Sequence, residues 1–199
     1  MALKFFAKIQ KKSQFAELVA INRKIFVFLQ PEMYCSAAMS EGRFCYDYAR
    51  AALTADCVIF GRQGAEVFLL LVRRGRPPFA GCWALPGGFM NMDETLERCA
   101  RRELEEETGL RLTQPLVEVG SFSAVDRDPR GRTVTVAYAA MVPIAAVQAG
   151  DDASEARWKR LAARDPDDPL FPVGLELAFD HNAIVRRAYE KLFLPDNKI

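Results

Sequence analysis

The chain has 199 residues, half of them apolar, and its 27 lysines and arginines against 26 aspartates and glutamates leave a formal net charge of +1. That balance gives no reason to expect a nucleic-acid or acidic-membrane surface. The apolar share is ample for one hydrophobic core, so one domain carrying an extension is expected. The cysteines, Cys35, Cys45, Cys57, Cys82 and Cys99, show no metal-type pairing. With no signal peptide they read as free thiols of a reducing, cytoplasmic setting.

Residues 1–45 read as an N-terminal extension. Lys4, Lys8, Lys11 and Lys12 mix with Phe5, Phe6 and Ile9 in a weakly amphipathic basic start. This fits a membrane-contacting or targeting segment, a helix added to the domain, or a stretch ahead of a later translation start near Met39. Phe15 to Leu29 is broken by Glu17, Arg23 and Lys24, so no integral membrane span is expected. Residues 46–199 read as the main domain. Leu53 to Phe60 is strand-like, followed by a turn over Gly61 to Gly64 and a second strand from Glu66 to Arg73. A loop with Pro77 and Pro78 leads to a short strand at Trp83 to Leu85. After the glycine-rich turn at Gly87 and Gly88 and the helix that follows it, strands are expected near Leu116 to Phe122, Thr133 to Val142 and Ala156 to Leu161. Asp165 to Pro169 reads as loop. A closing helix spans Leu175 to Phe193, with Ile184, Ala188 and Leu192 on one face. No helix-turn-helix module is expected after it. Cys57 and Cys99 sit in apolar patterns and are expected in the core.

The densest chemistry lies between Gly88 and Leu110. Asp93 is a candidate N-cap and Gly109 a candidate C-terminal stop. Leu96, Cys99, Ala100 and Leu104 make one apolar stripe, and Arg102, Glu103, Glu106 and Glu107 lie off it. Like charges at helical spacing disfavour a helix by roughly 0.2–0.5 kcal/mol per pair. Acids in the last turn also meet the negative end of the macrodipole, at about 0.3–1 kcal/mol each. Glu94 with Arg98, Glu97 with Arg101 and Arg102 with Glu106 have favourable spacing. Glu105, Glu106 and Glu107 still crowd the wrong end. The plain alternative is a solvated charged face. A bound divalent cation would offset the crowding, and Mg²⁺ prefers oxygen ligands shared with substrate phosphates.

This stretch resembles the signature of the Nudix hydrolases. Gly88, Glu94, Arg102, Glu103, Leu104, Glu106, Glu107, Gly109 and Leu110 fill its fixed positions. The segments Ala52 to Phe60, Arg73 to Gly75, Pro78 to Gly88 and Arg127 to Arg132 resemble the branch that contains ADP-ribose pyrophosphatases. The resemblance implies an α/β fold, the Nudix-type α/β/α sandwich around a mixed β-sheet. It implies Mg²⁺-dependent hydrolysis of a nucleoside diphosphate linked to another moiety, with Mn²⁺ able to replace Mg²⁺. Glu103, Glu106 and Glu107 would bind metal, joined by the backbone carbonyl of Gly87. Arg102 would orient Glu103, and Glu94 would support the site electrostatically. A homodimer is expected by the same analogy.

Pyrophosphate cleavage needs charge neutralised on the phosphates and a water made nucleophilic, and divalent ions do both. Arg130 and Arg132 are candidates to fork onto the substrate's phosphates; a basic hairpin turn is the alternative. For the general base, Asp151, Asp152 and Glu155 are weighed, with Glu155 slightly favoured over ordinary loop acidity. Phe79, Phe122 and Trp83 are candidates for an adenine platform, each also a natural core residue. His181 reads as a polar helix residue with a local partner. The expected substrate is a nucleotide sugar, ADP-ribose first, split into AMP and ribose 5-phosphate. The rivals are an ADP-ribose-sensing regulator without turnover and an enzyme for another nucleotide, such as a nucleoside triphosphate or dinucleoside polyphosphate.

Overall fold

A computed structural model describes residues 47–150, 153–161 and 171–194. The expectations for residues 1–45, for Asp151 and Asp152, and for Asp165 to Pro169 lie outside the described residues. The strands are β1 (Ala52–Gln63), β2 (Glu66–Arg74), β3 (Trp83–Ala84), β4 (Gly87–Phe89), β5 (Val117–Phe122), β6 (Thr133–Pro143) and β7 (Ala153–Arg160); the helices are α1 (Leu96–Thr108) and α2 (His181–Phe193). Neither is long and apolar enough to cross a membrane.

β1 is the central strand. It pairs in parallel with β6 along one edge from Ala52 to Arg62, and the other strand pairings are antiparallel, so the sheet is mixed. Its apolar run is buried on both faces, as expected for a strand covered on both sides. Val58 and Phe60 point into a core with Ile184, Val185 and Ala188 of α2. Ala55, Cys57 and Ile59 point the other way, onto Cys99, Ala100 and Leu104 of α1. Alternation along one strand thus builds both halves of an α/β/α sandwich.

The free edge of β1 forks. Its C-terminal half pairs with β2 from Phe60 to Gln63, while Thr54, Ala55 and Asp56 pair with β4. β2 diverges from β1 and takes β3 at Val72 and Arg73. The segment Leu85–Pro86 joins β3 to β4 across the gap, and the Pro86 carbonyl accepts the Cys57 N–H at 2.8 Å. A cleft opens at this fork.

Several local expectations shift. Gly87 and Gly88 form strand β4 rather than a turn. Gly61 lies inside β1, leaving the turn to Gly64 and Ala65. The helix cap is Thr95, not Asp93: its backbone is extended and its hydroxyl accepts the Arg98 N–H at 3.3 Å. Gly109 ends α1 in the left-handed conformation, as expected. α2 starts at His181, six residues after Leu175, because Asn182 folds the lead-in back on itself. Its side chain accepts the Leu177 N–H at 2.7 Å and donates to the Leu175 carbonyl at 2.9 Å.

Gly61 is glycine for a packing reason. A Cβ there would stand 2.7 Å from the Trp158 ring and 2.8 Å from Ile144. The indole cannot swing away cheaply, since its Nε1–H donates to the Ala145 carbonyl at 2.8 Å. Gly61→Ala is expected to cost about 1–3 kcal/mol by overpacking, read as a shift in the denaturant midpoint at unchanged slope.

Candidate active site

The helix stripe read from the sequence fixes which side chains face the fork. Cys99, Ala100, Leu104 and Thr108 are buried under α1, which turns Glu103 and Glu107 toward β4. The Gly87 N–H donates to Glu107 Oε2 at 3.1 Å. A Cβ on Gly88 would stand 2.5 Å from the Glu103 carboxylate, and one on Gly87 would stand 2.4 Å from the Ala55 carbonyl and 2.5 Å from Asp56 Oδ1. Gly87 therefore stands where the backbone approaches oxygen too closely for any side chain, and a side chain at Gly88 would have to push the Glu103 carboxylate off its bond to Arg102.

Arg102 organises the acids around it. Its Nε and Nη2 donate to Glu94 at 3.1 and 2.7 Å, and its Nη1 donates to Glu103 at 2.6 Å and Glu106 at 2.9 Å. Hydrogen bonds from Arg102 pull Glu94 down to about 2, and Glu94 in turn raises Arg102. Glu94 thus pairs with Arg102 rather than with Arg98. Glu105 finds Arg111 beyond the helix end. The crowding at the helix tail is therefore partly neutralised by arginines, and the uncompensated charge sits deeper. Burial raises Glu103. Burial also pushes Glu107 from 4.5 up to about 8, with Glu103 and Asp56 adding to the shift against the Gly87 N–H.

Among the described residues no three acid, thiol or imidazole groups already converge on one cation position; Glu103 and Glu106 are bonded to Arg102 instead. The donor set nevertheless fits a hard cation, since Glu103, Glu107 and the Gly87 carbonyl offer only oxygen at a wall that disfavours its own negative charge.

The cleft beside these acids encloses about 300 Å³. Asp56 forms the floor. Arg73, Arg74, Arg76, Arg127 and Arg130 line the cleft as well. Arg130 is held in a fork by Asp128, at 3.0 and 2.7 Å, and its guanidinium lies 5.0 Å from the Phe89 ring and 5.6 Å from the Phe179 ring. Arg74 stacks on Phe179 at 4.9 Å, and Phe79, 41% exposed, meets the Phe179 edge at 4.8 Å.

The sequence candidates divide accordingly. Gly87, Arg102, Glu103, Glu107 and Arg130 line the cleft, Glu94 holds Arg102, and Glu106 sits at the exposed end of the same arginine. Arg132 does not line the cleft; it donates to the Ala124 carbonyl at 3.2 Å. Glu155 does not line it either: it is on β7, ion-paired with Arg157. Phe122 and Trp83 pack against the α2-side core, and of the three aromatic candidates Phe79 alone stands near the cleft's Phe179. His181 is buried with a distant partner, not a local one: its Nδ1 accepts the Leu85 N–H at 2.9 Å, and burial lowers its pKa, keeping the ring neutral. Asp56, Arg127, Phe179 and His181 were not singled out for the site from sequence. An acid inside the apolar run of β1 and a lone histidine were the visible signals.

A mixed-sheet sandwich whose glycine strand abuts a glutamate-rich helix is the architecture of a Nudix domain. The NUDIX domain family model matches residues 50–172, and the chain belongs to that family. It is 36% identical over 149 residues to the ADPR responsive transcriptional repressor NtrR of Acinetobacter baylyi, covering 73% of this chain and 56% of that protein. It is 39% identical over 118 residues to an ADP-ribose pyrophosphatase of Methanocaldococcus jannaschii, covering 59% of this chain and 63% of that one. The chain thus spans less than two thirds of the length of either relative. Among solved structures, the NUDIX domain of Shewanella oneidensis NrtR complexed with ADP ribose superposes with a TM-score of 0.64 at 30% identity, covering 78% of this chain and 97% of that one.

The raised pKa of Glu107 has a stability consequence. The folded protein binds this proton more tightly than the unfolded chain, so the cost of the charge is absent below about pH 4.5 and grows as pH rises toward 8. Glu107→Gln keeps the volume and an acceptor for the Gly87 N–H. In metal-free buffer it is expected to raise stability at pH 8 by on the order of 2 kcal/mol and to leave it unchanged near pH 4, read by thermal melts.

Proposed function

We propose that this chain is a Mg²⁺-dependent pyrophosphohydrolase, with Mn²⁺ able to substitute, that splits ADP-ribose into AMP and ribose 5-phosphate in a cytoplasmic setting. One observation carries the reading: a single cleft is lined both by Glu103, Glu107 and Asp56 and by Arg73, Arg74, Arg76, Arg127 and Arg130. A nucleoside diphosphate sugar carries charge that the arginines complement, and a cation on the acidic wall would complete the neutralisation. The similarity to an ADP-ribose pyrophosphatase supports the choice of ADP-ribose.

In this reading Glu103, Glu106, Glu107 and the Gly87 carbonyl hold the cation. When bound, it neutralises charge on the diphosphate and lowers the pKa of its water. Arg102 orients Glu103 and Glu106, and Glu94 fixes Arg102 by a two-point pair. Arg130, its plane set by Asp128 and by the Phe89 and Phe179 rings, presents a fork to phosphate oxygens. Glu155 and Arg132 are left out of this reading, since neither lines the cleft.

A second reading has its own support. The chain resembles a transcriptional repressor described as ADPR responsive, and in it the cleft would bind ADP-ribose without turnover. That relative also weighs against the expectation, drawn from net charge, that nucleic acid is no partner. A homodimer belongs to either reading.

Incubating the protein with Mg²⁺ and a panel of nucleotides separates these. AMP released from ADP-ribose is the expected result. Tight ADP-ribose binding without product supports the regulator, and pyrophosphate from a nucleoside triphosphate sinks the substrate assignment. Glu106→Gln, at an exposed position, is expected to abolish turnover while stability stays within about 0.5 kcal/mol of wild type. Full activity in that variant overturns the cation assignment.

A further inference from the structure

Asp56, Arg127 and His181, which line the inner part of the cleft, belong to one buried polar network. Asp180 occupies the N-cap position of α2, yet its side chain makes no cap hydrogen bond. Its carboxylate instead accepts Arg127 Nε at 3.0 Å and Nη2 at 2.7 Å. An N-cap bond contributes about 1 kcal/mol, so this acid serves tertiary placement over its own helix. Arg127 is 7% exposed, and its Nη2 also lies 3.9 Å from Asp56 Oδ2.

His181, the next residue, is 4% exposed. Its Nδ1 accepts the Leu85 N–H at 2.9 Å, which places the proton of the neutral ring on Nε2. Nε2 faces Asp56 Oδ1 at 3.7 Å. Leu85 lies in the fork between β3 and β4, where strand pairing does not take its N–H. Two residues on, Gly87 donates to Glu107. The α2 lead-in also ties to the other side of the fork, where the Ala178 N–H donates to the Trp83 carbonyl at 2.8 Å.

We propose that His181 is a positioning residue for the cation wall: its Nδ1, held in place by the Asp180–Arg127 pair, fixes the Leu85–Gly87 backbone so that Gly87 meets Glu107 in the geometry needed to receive a divalent ion. The last helix thereby sets the shape of a site that lies far from it in sequence. The inference rests on the cation-binding reading of that wall and not on the identity of the substrate.

Two variants separate this role from mere filling of space. His181→Leu keeps apolar bulk and removes the acceptor. His181→Asn places an amide oxygen as many bonds from Cα as Nδ1, restoring the acceptor without the ring. Mn²⁺ affinity, followed by electron paramagnetic resonance without substrate, is expected to fall about tenfold in His181→Leu, the usual scale for losing an outer-shell partner. His181→Asn should recover it to within about threefold. Exchange of the Leu85 amide with solvent should accelerate about tenfold in the leucine variant and return to the wild-type rate in the asparagine one. With substrate, His181→Leu should lose kcat with KM little changed. If His181→Leu folds and binds Mn²⁺ like wild type, the proposal is overturned. If it does not fold, His181→Asn decides alone: a folded asparagine variant with wild-type Mn²⁺ affinity supports the proposal, and one with a protected Leu85 amide but lost affinity ends it. Both central readouts omit ADP-ribose, so a wild type that binds Mn²⁺ but cleaves no ADP-ribose is a failure of the substrate assignment only.

Discussion

The constraint on which this molecule depends is the approach of the β4 backbone to carboxylate oxygen. Gly88 has no room for a Cβ because Glu103 is there, and Gly87 has none because Ala55 and Asp56 are there. Such closeness is reachable only because β1 and β2 diverge and leave a gap for β3 and β4. The apolar faces of β1 hold α1 on one side and α2 on the other, and the polar consequences collect where the sheet opens. Packing creates the cleft, and the glycines let the acidic helix press against its edge.

Within the cleft, the distribution of charge is decided by burial more than by the helix dipole. The dipole argument treats Glu105, Glu106 and Glu107 alike, yet the structure separates them. Glu105 reaches Arg111, Glu106 shares Arg102 with Glu94 and Glu103, and Glu107 goes inward to a backbone N–H with two other acids nearby. Exposed pairs of the first kind contribute little, about 0–1 kcal/mol, whereas a half-buried acid beside like charges is held near neutrality. The pressure toward a cation therefore comes from Glu103 and Glu107, and only Glu107 stands in the helix's last turn.

What the sequence could disclose follows the range of the contacts. Glu103, Glu107 and the stripe under them were legible because helical spacing is local and nearly rigid. β1, β2 and β6 were legible because continuous apolar runs bounded by turns have few other solutions. The choice between Arg130 and Arg132 was not, since both extend from one turn and only the placement of Phe89, Phe179 and Asp128 decides which enters the cleft. Glu155 lies outside the cleft's lining, and a carboxylate near a late loop carries no mark of the arginine beside it. His181 misled: its partner is the Leu85 amide, 96 residues away, and no pattern in the helix it begins records that contact. Asp93 was a sound cap by type, but Thr95 has the extended backbone and the hydroxyl at the distance that serves Arg98.

The division of labour among segments bears on what such a fold can vary. The acids lie on α1 and, for Asp56, on β1, and their geometry is fixed by helical spacing and by the glycines of β4. The basic wall comes from elsewhere: the end of β2, the loop before β6 and, through Asp180 and Phe179, the approach to α2. The acidic wall can therefore persist while the arginines and rings change with the loops that carry them. Under the proposed function, selection among nucleotides would fall to the latter, because a diphosphate is common to many substrates and the moieties attached to it are not. The α2 lead-in belongs to both parts at once. Phe179 stacks on the guanidinium wall, while His181, two residues later, holds the backbone that meets Glu107, so one short segment couples the shape of the substrate mouth to the placement of the acids.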